Sequence, residues 1–323
     1  MKKIAVLTSG GDAPGMNACI RAVIRACAHY NLEVYGIHRG YQGLIENEIH
    51  PMTTSSVANI IQMGGTILKT ARSKDFMTPE GRKTAHQNLV NLGIEGIVCI
   101  GGNGTYTGAM IFEKEFGIPS MGCPGTIDND LWGTDATIGY DTAINTAMEA
   151  IDKIRDTADA HNRIFFVEVM GRDAGMIALL SGIGSGAEAI LVPETVTRVD
   201  QIVNVLSRGW ERKKTSMIVI VAEGDDSGGA YKIAAEVKSR FSQYDTRVSV
   251  LGHMQRGGSP SCFDRVLASR LGVAAVEKLT AGETDKMVGI IDNKLVLTPF
   301  EKVVSTKKEL PMDLMRVAEI LSL

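Results

Sequence analysis

The chain alternates short apolar runs with longer amphipathic stretches. Residues 4–8, 33–38, 94–100, 163–169, 188–192, 217–222 and 247–251 have strand length and are rich in β-branched and other apolar types. Between them the apolar spacing becomes helical. Ile20, Val23, Ile24 and Cys27 share one face, as do Ile144, Ala147, Met148, Ile151 and Ile154. Further helices are predicted over 55–63, 79–92, 105–116, 200–214, a stretch ending near 241, 263–280 and 312–321. Residues 287–297 read as a β-hairpin turning at Asp292-Asn293. Strand following helix along the whole chain predicts an α/β fold with mostly parallel sheets. The strands are too many for one comfortable sheet, so two αβα-sandwich lobes are expected. No Pro/Ser-rich linker divides them, so the lobes should share chain crossings.

The polar residues fall just after the strands, where open α/β sheets bind ligands. Run 4–8 empties into Ser9-Gly10-Gly11-Asp12-Ala13-Pro14-Gly15, with Asn17 a candidate helix cap. A strand, a glycine turn and a helix N-terminus make a phosphate site, because backbone N–H groups can approach an anion there. The chain has no Walker A match. Run 94–100 ends in Gly101-Gly102-Asn103-Gly104-Thr105, a second unit with the same logic. The apolar run 118–121 leads into Gly-Cys-Pro-Gly-Thr-Ile-Asp-Asn-Asp, residues 122–130. Asp128 and Asp130 repel each other, which raises the proton affinity of one unless a cation or donor compensates. A general base beside a metal ligand has that need; two solvated aspartates on a turn are the alternative. Arg21 and Arg25, at i and i+4, are a candidate anion or subunit contact or simply a solvated face. Arg212, Lys213 and Lys214 suit a helix C-terminus on dipole grounds alone.

Composition narrows the partners. At 323 residues the chain makes one large or two ordinary domains, and 44% hydrophobic with 22% charged residues is usual for a soluble globular protein. A formal charge of -3 and 5% aromatics supply neither the basic field nor the stacking surface of a nucleic-acid binder. Five cysteines, none in a C-x-x-C pair, read as buried thiols of a reducing compartment. The first apolar run stops at Thr8-Ser9-Gly10-Gly11, too short for a signal-peptide core, and no run approaches a membrane span. A cytoplasmic location without membrane contact is the expectation.

The loops at 9–17, 101–105, 124–130, 170–172 and 252–256, in this order, closely resemble the bacterial-type ATP-dependent 6-phosphofructokinases, over essentially the whole chain. Pro-Gly-Thr-Ile-Asp-Asn-Asp with Met-Gly-Arg and Gly-His-Met-Gln-Arg-Gly-Gly-Ser-Pro is a specific combination. The resemblance implies phosphoryl transfer from ATP, with Mg²⁺, to the 1-hydroxyl of fructose 6-phosphate. It implies Asp128 as the base, Thr126 beside it, and Arg172 and Arg72 on the transferring charge. Asp130, with Asn103, would hold the metal. ATP would lie against Gly11, Tyr41, Arg72, Ser73, Asn103, Gly104 and Thr105. Fructose 6-phosphate would be held by Thr126, Asp128, Asp130, Met170, Gly171, Arg172, Glu223, His253 and Arg256, with Arg163 and Arg247 reaching in from a neighbouring subunit of a homotetramer. An effector site for ADP or phosphoenolpyruvate would use Arg21, Arg25, Arg155, Gly186, Glu188, Arg212, Lys213 and Lys214. The nucleotide-binding lobe would comprise 1–138 plus 252–304, and the sugar-phosphate lobe 139–251 plus 305–323.

The chain departs from the family pattern in three places. Asn103 stands where an aspartate is usual, keeping a carbonyl oxygen but losing the charge that attracts a hard cation. Ser73, Lys74 and Met77 replace a commonly aromatic residue and a second arginine. Thr54, Asn59 and Ser216 lie where the effector site usually has an arginine, an acid and a histidine. Pyrophosphate-dependent relatives carry an acid and a lysine where this chain has Gly104 and Gly125, so ATP is the expected donor. The alternatives are a pyrophosphate-dependent enzyme or a catalytically weak regulatory paralogue.

Overall fold

The computed structural model describes residues 1–161, 163–243 and 245–321. Positions 162, 244, 322 and 323, inside the span expected for the second lobe, lie outside the described residues. The chain divides into two compact units, Met1–Thr142 with Arg256–Lys308, and Ala143–Gln255 with Glu309–Leu323. His253 therefore goes with the second unit and Arg256 with the first, whereas the sequence reading placed both in the first.

The first unit is built on β1 (Lys3–Thr8), α1 (Met16–His29), β2 (Glu33–Ile37), α2 (Gly40–Ile45), β3 (Ile49–Met52), α3 (Pro79–Leu92), β4 (Gly96–Gly101), α4 (Asn103–Phe116) and β5 (Ser120–Pro124). Helix α5 (Tyr140–Asp159) starts there and continues into the second unit. That unit holds β6 (Arg163–Val169), α6 (Met176–Ser185), β7 (Ala189–Leu191), α7 (Val199–Glu211), β8 (Ser216–Ala222), α8 (Ala230–Arg240) and β9 (Asp245–Val250). The chain then returns to the first unit with α9 (Cys262–Thr280), β10 (Lys286–Ile291), β11 (Lys294–Pro299) and α10 (Phe300–Ser305), and α11 (Met312–Leu321) belongs to the second.

The first sheet runs β11-β10-β5-β4-β1-β2-β3, parallel except for its two outermost pairs, β10 with β11 and β2 with β3. Alternation along β1 and β4 sends Ala5, Leu7, Ile97 and Cys99 into a core with Phe76, Leu89, Tyr106 and Phe112. Ile4, Val6, Val98 and Ile100, on the opposite face, are also fully buried, so both faces are covered. The second sheet, β7-β8-β6-β9, is wholly parallel. Its Ile164, Phe166, Met217, Val219 and Val221 pack on Ile202 and Leu206 of α7 and Ile233 and Val237 of α8.

Several details differ from the apolar pattern. The helix expected over 55–63 is a single tight turn, Thr54–Val57, because Ser and Thr hydroxyls there bond local backbone and compete with a helix. Asn59 then takes a left-handed φ of 55°. Asn17 is not a cap: helix α1 starts behind Gly15, and the buried Asn17 amide instead donates to Met63 O and Gly64 O and accepts from Ile67 N. Gly122, Cys123 and Pro124 are strand, not loop, since β5 pairs with β4 as far as Gly101↔Pro124. Helix α7 stops at Glu211, leaving Arg212, Lys213 and Lys214 beyond it with Lys213 left-handed.

All five cysteines are free; Cys19, Cys27, Cys99 and Cys123 are buried and Cys262 is exposed. Burial pushes the Cys27 and Cys99 thiols up to about 12. A disulfide-exchange reagent is expected to titrate one thiol quickly in the folded protein and all five after unfolding. Two or more fast thiols in the folded chain would contradict this packing.

Candidate active site

In the first unit β1 lies between β2 and β4, so the chain leaves the centre of the sheet in both directions. That is the switch point at which α/β sheets open a crevice beyond their strand ends. The loops after β1, β4 and β5 meet there through backbone bonds: Ser9 N donates to Ile100 O at 3.0 Å and Gly125 N to Gly101 O at 2.9 Å. Only small residues permit this approach. A Cβ on Gly101 would lie 2.6 Å from Ser9 O. The Arg256 guanidinium donates to Asp12 O at 3.1 Å, which brings Arg256 to the first glycine turn.

Helix α4 opens at this crevice with Asn103, Gly104 and Thr105, its N-terminal dipole facing any anion bound there. Nothing lies within 4 Å of a Cβ built on Gly104, so this helix end has open space above it. Tyr41 is buried, stacked on Phe76 at 4.1 Å, and its hydroxyl donates to Thr105 O at 2.6 Å. It holds the helix end from below. Ser73 is likewise engaged, donating to Gln42 and accepting from Phe76 N, while Arg72 is exposed.

Beyond β5, Asp128 is 3% exposed and Asp130 half-buried. The turn that separates them rests on Asn129, left-handed at φ 51°, an uncommon conformation for a side-chain-bearing residue. Asp128 N donates to Thr126 Oγ1 at 3.2 Å, and Thr137 Oγ1 donates to Thr126 O at 2.6 Å. Asn103 Nδ2 donates to Asp130 Oδ2 at 3.3 Å, while Asn103 Oδ1 is buried with no hydrogen-bond partner among the described residues. An orphaned amide oxygen beside a carboxylate fits a hard cation that takes few protein ligands and completes its shell with water and phosphate oxygens. Among the described residues no group of three or more His, Cys, Asp or Glu is placed to hold a metal without such help.

In the second unit the ends of β6 and β8 are also tied together. Glu223 N donates to Val169 O, and Arg172 N donates to Glu223 Oε1, both at 2.9 Å. Arg172 is exposed with a left-handed φ of 50°, and Gly171 has φ 142°. A Cβ on Gly224 would come within 1.9 Å of Arg172 O, so this glycine is what lets the β8 loop lie against the arginine's backbone. Gln255, fully buried, accepts from Met170 N at 2.9 Å and so places the segment carrying the exposed His253.

Arg163 and Arg247 are elsewhere. Both pair with Asp245, at 3.2 and 2.7 Å, near the N-terminal ends of β6 and β9. Arg163 opens the strand that Met170 follows, and a strand of that length separates its ends by about 20 Å. The second unit also assembles the basic cluster. Arg155 donates to Ser185 O and Gly186 O, and the buried Glu188 accepts from Lys214 and from Ile218 N. Arg212 and Lys213 are exposed beside it; Arg21 and Arg25 lie on α1 of the first unit. Asp245, Asn129, Gln255 and Tyr41's supporting role escape a reading of loops alone, because each acts through a partner distant in sequence.

Glycine turns at helix N-termini, paired acids and an exposed arginine after strand ends are groups that phosphoryl chemistry on an α/β fold uses. The phosphofructokinase family model matches residues 3–279, and the chain belongs to the phosphofructokinase family. It is 54% identical over its full length to ATP-dependent 6-phosphofructokinase 2 of Bacteroides thetaiotaomicron, covering 99% of that protein. It is 56% identical to the ATP-dependent 6-phosphofructokinase of Cytophaga hutchinsonii, covering 100% of this chain and 98% of that one. Among solved structures, phosphofructokinase from Saccharomyces cerevisiae superposes with a TM-score of 0.89 at 36% identity, over 99% of this chain. This chain spans 47% of that yeast chain.

Proposed function

We propose that this protein transfers the γ-phosphoryl group of ATP to the 1-hydroxyl of D-fructose 6-phosphate, giving ADP and fructose 1,6-bisphosphate, as a kinase of glycolysis. The observation that carries the reading is the 126–130 loop. It holds a nearly buried carboxylate, Asp128, beside a second one that reaches Asn103 at the α4 N-terminus. In this reading Asp128 accepts the proton of the sugar hydroxyl, with Thr126 beside it. Arg172 and Arg72 counter charge on the transferring group. Gly11, Gly104 and Thr105 cradle nucleotide phosphates, with Tyr41 and Ser73 supporting the cradle. Asn103 Oδ1 and the Asp130 carboxylate would hold Mg²⁺, which when bound neutralises nucleotide phosphate charge. Met170, Gly171, Arg172, Glu223, His253 and Arg256 contact fructose 6-phosphate.

Arg163 and Arg247 are assigned to the fructose 6-phosphate of a neighbouring subunit in a homotetramer. Their distance along the strand from Met170 supports this, since one ligand cannot reach both ends of β6. Arg155, Gly186, Glu188, Arg212, Lys213 and Lys214, with Arg21 and Arg25, are proposed to take ADP or phosphoenolpyruvate as effector. No helix among the described residues is long and apolar enough to cross a membrane. A cytoplasmic setting is proposed because five free thiols suit a reducing compartment.

The open space at Gly104 supports a nucleotide over pyrophosphate as donor. The test is product formation by the purified chain with Mg²⁺ and either donor. Fructose 1,6-bisphosphate is expected with ATP. Formation only with pyrophosphate would replace the donor, and no product with either would favour the weak regulatory paralogue. Because charge count tunes affinity for hard cations, Asn103→Asp is expected to lower the Mg²⁺ needed for half-maximal rate by about tenfold. An unchanged Mg²⁺ titration would contradict that role for Asn103.

A further inference from the structure

We propose that Lys308 is a positioning residue for phosphoryl transfer: its ammonium clamps the turn that begins at Asn129 and thereby fixes the two carboxylates flanking that residue. The inference rests on the function proposed above and adds a residue whose ammonium bonds the turn itself. Lys308 is half-buried, and its Nζ donates to Asn129 Oδ1 at 3.0 Å, Thr134 O at 2.8 Å and Asp135 O at 3.1 Å. An ammonium has three N–H donors, so these acceptors match its capacity. The neighbouring Lys307 forms an antiparallel bridge with Leu131, laying the segment along the turn.

The far end of that turn is anchored independently. Asp135 N donates to Ile290 O, Ile290 N to Thr134 Oγ1, and Asp292 N to Asp135 Oδ2, all on or beside β10. The near end, at Asn129, is 1% exposed and left-handed. It reaches the anchored end through its own Nδ2, which donates to Asp135 O, and through Lys308. The clamp therefore transmits the rigidity of β10 to the residue between Asp128 and Asp130. Burial lowers the ammonium to about 8 against the opposing pull of Asp135 and Asp130. Desolvating a cation costs stability that an apolar side chain would not. Reacting groups tolerate little misplacement, which gives such a clamp a use.

The test compares the parent chain with Lys308→Met. The variant is expected to melt near the parent, keep both KM values within about threefold and lose kcat on the order of 10²-fold. Lys308→Cys in a Cys262→Ser background is expected to behave the same way, then recover kcat about tenfold or more when 2-bromoethylamine restores an amine at that position. Independently of turnover, amide exchange over 126–131 should rise by about tenfold in Lys308→Met. Parent-like kcat and exchange in a folded variant overturn the clamp, as does a loss shared equally by kcat and KM without amine rescue. If Lys308→Met does not fold, Lys308→Gln, which keeps a polar side chain there but loses the ammonium, is judged by its kcat, its KM values and its amide exchange over 126–131. A parent without turnover would count against the proposed function, and the exchange measurement would then decide the clamp alone.

Discussion

Asp128→Ala is expected to lower kcat by about 10³-fold, within the range general bases contribute, with the KM values for ATP and fructose 6-phosphate within about threefold of the parent. The expectation follows from placement. Asp128 is nearly inaccessible, on a loop fixed by Thr126, Thr137 and the Asn129 turn. Removing its carboxylate deletes a proton acceptor without dismantling the cradle built by the glycine turns and the α4 N-terminus. Asp128→Ser should behave alike, since a hydroxyl is too weak a base at neutral pH. Because Asp130 and Asn103 remain, the Mg²⁺ dependence of the residual rate should stay close to the parent's. A variant that turned over normally would remove Asp128 from the mechanism, and one that lost substrate binding in parallel would make it a structural residue.

Arg163→Ala and Arg247→Ala are each expected to raise KM for fructose 6-phosphate by roughly 10- to 100-fold, the cost of one charge-assisted hydrogen bond, with kcat within a few-fold. Either should also complement Asp128→Ala. When two such variants exchange subunits, some sites receive Asp128 from one chain and the intact arginine from another, and activity at sub-saturating fructose 6-phosphate rises above that of either variant alone. Asp245 holds both guanidiniums, so Asp245→Ala should reproduce part of the effect by letting both swing away. Mixtures no more active at sub-saturating fructose 6-phosphate than their parents, after exchange is verified by native mass spectrometry, would contradict a site shared between subunits.

Much of this arrangement is legible in the chain. The apolar runs and glycine loops locate each central strand, and Asp292-Asn293 takes two left-handed residues, the conformation a tight hairpin turn needs. The short elements are not legible. Helix α2, strand β3 and helix α10 have four to six residues each, too few for periodicity to register. Helix α6 hides behind its glycines and small residues, although it packs against the second sheet. The 55–63 stretch misleads because hydroxyl side chains bond their own backbone there. The site divides the same way. Residues proposed to meet a ligand cluster at strand ends and announce themselves, whereas their supports do not. Lys308 lies 179 positions from Asn129, and Asp264, which caps the start of α5 by accepting from Gly139 N and Thr142 N, lies more than a hundred positions away. Such pairings exist only once the chain is folded.

The most direct measurement is a phosphorus-31 NMR time course of the purified chain with ATP, Mg²⁺ and fructose 6-phosphate in one tube. ADP and fructose 1,6-bisphosphate are expected to appear in equal amounts, with the new resonance on the 1-position and no free phosphate formed in step. ADP accompanied by inorganic phosphate, or no change while pyrophosphate in a parallel tube is consumed, would contradict the proposed transfer.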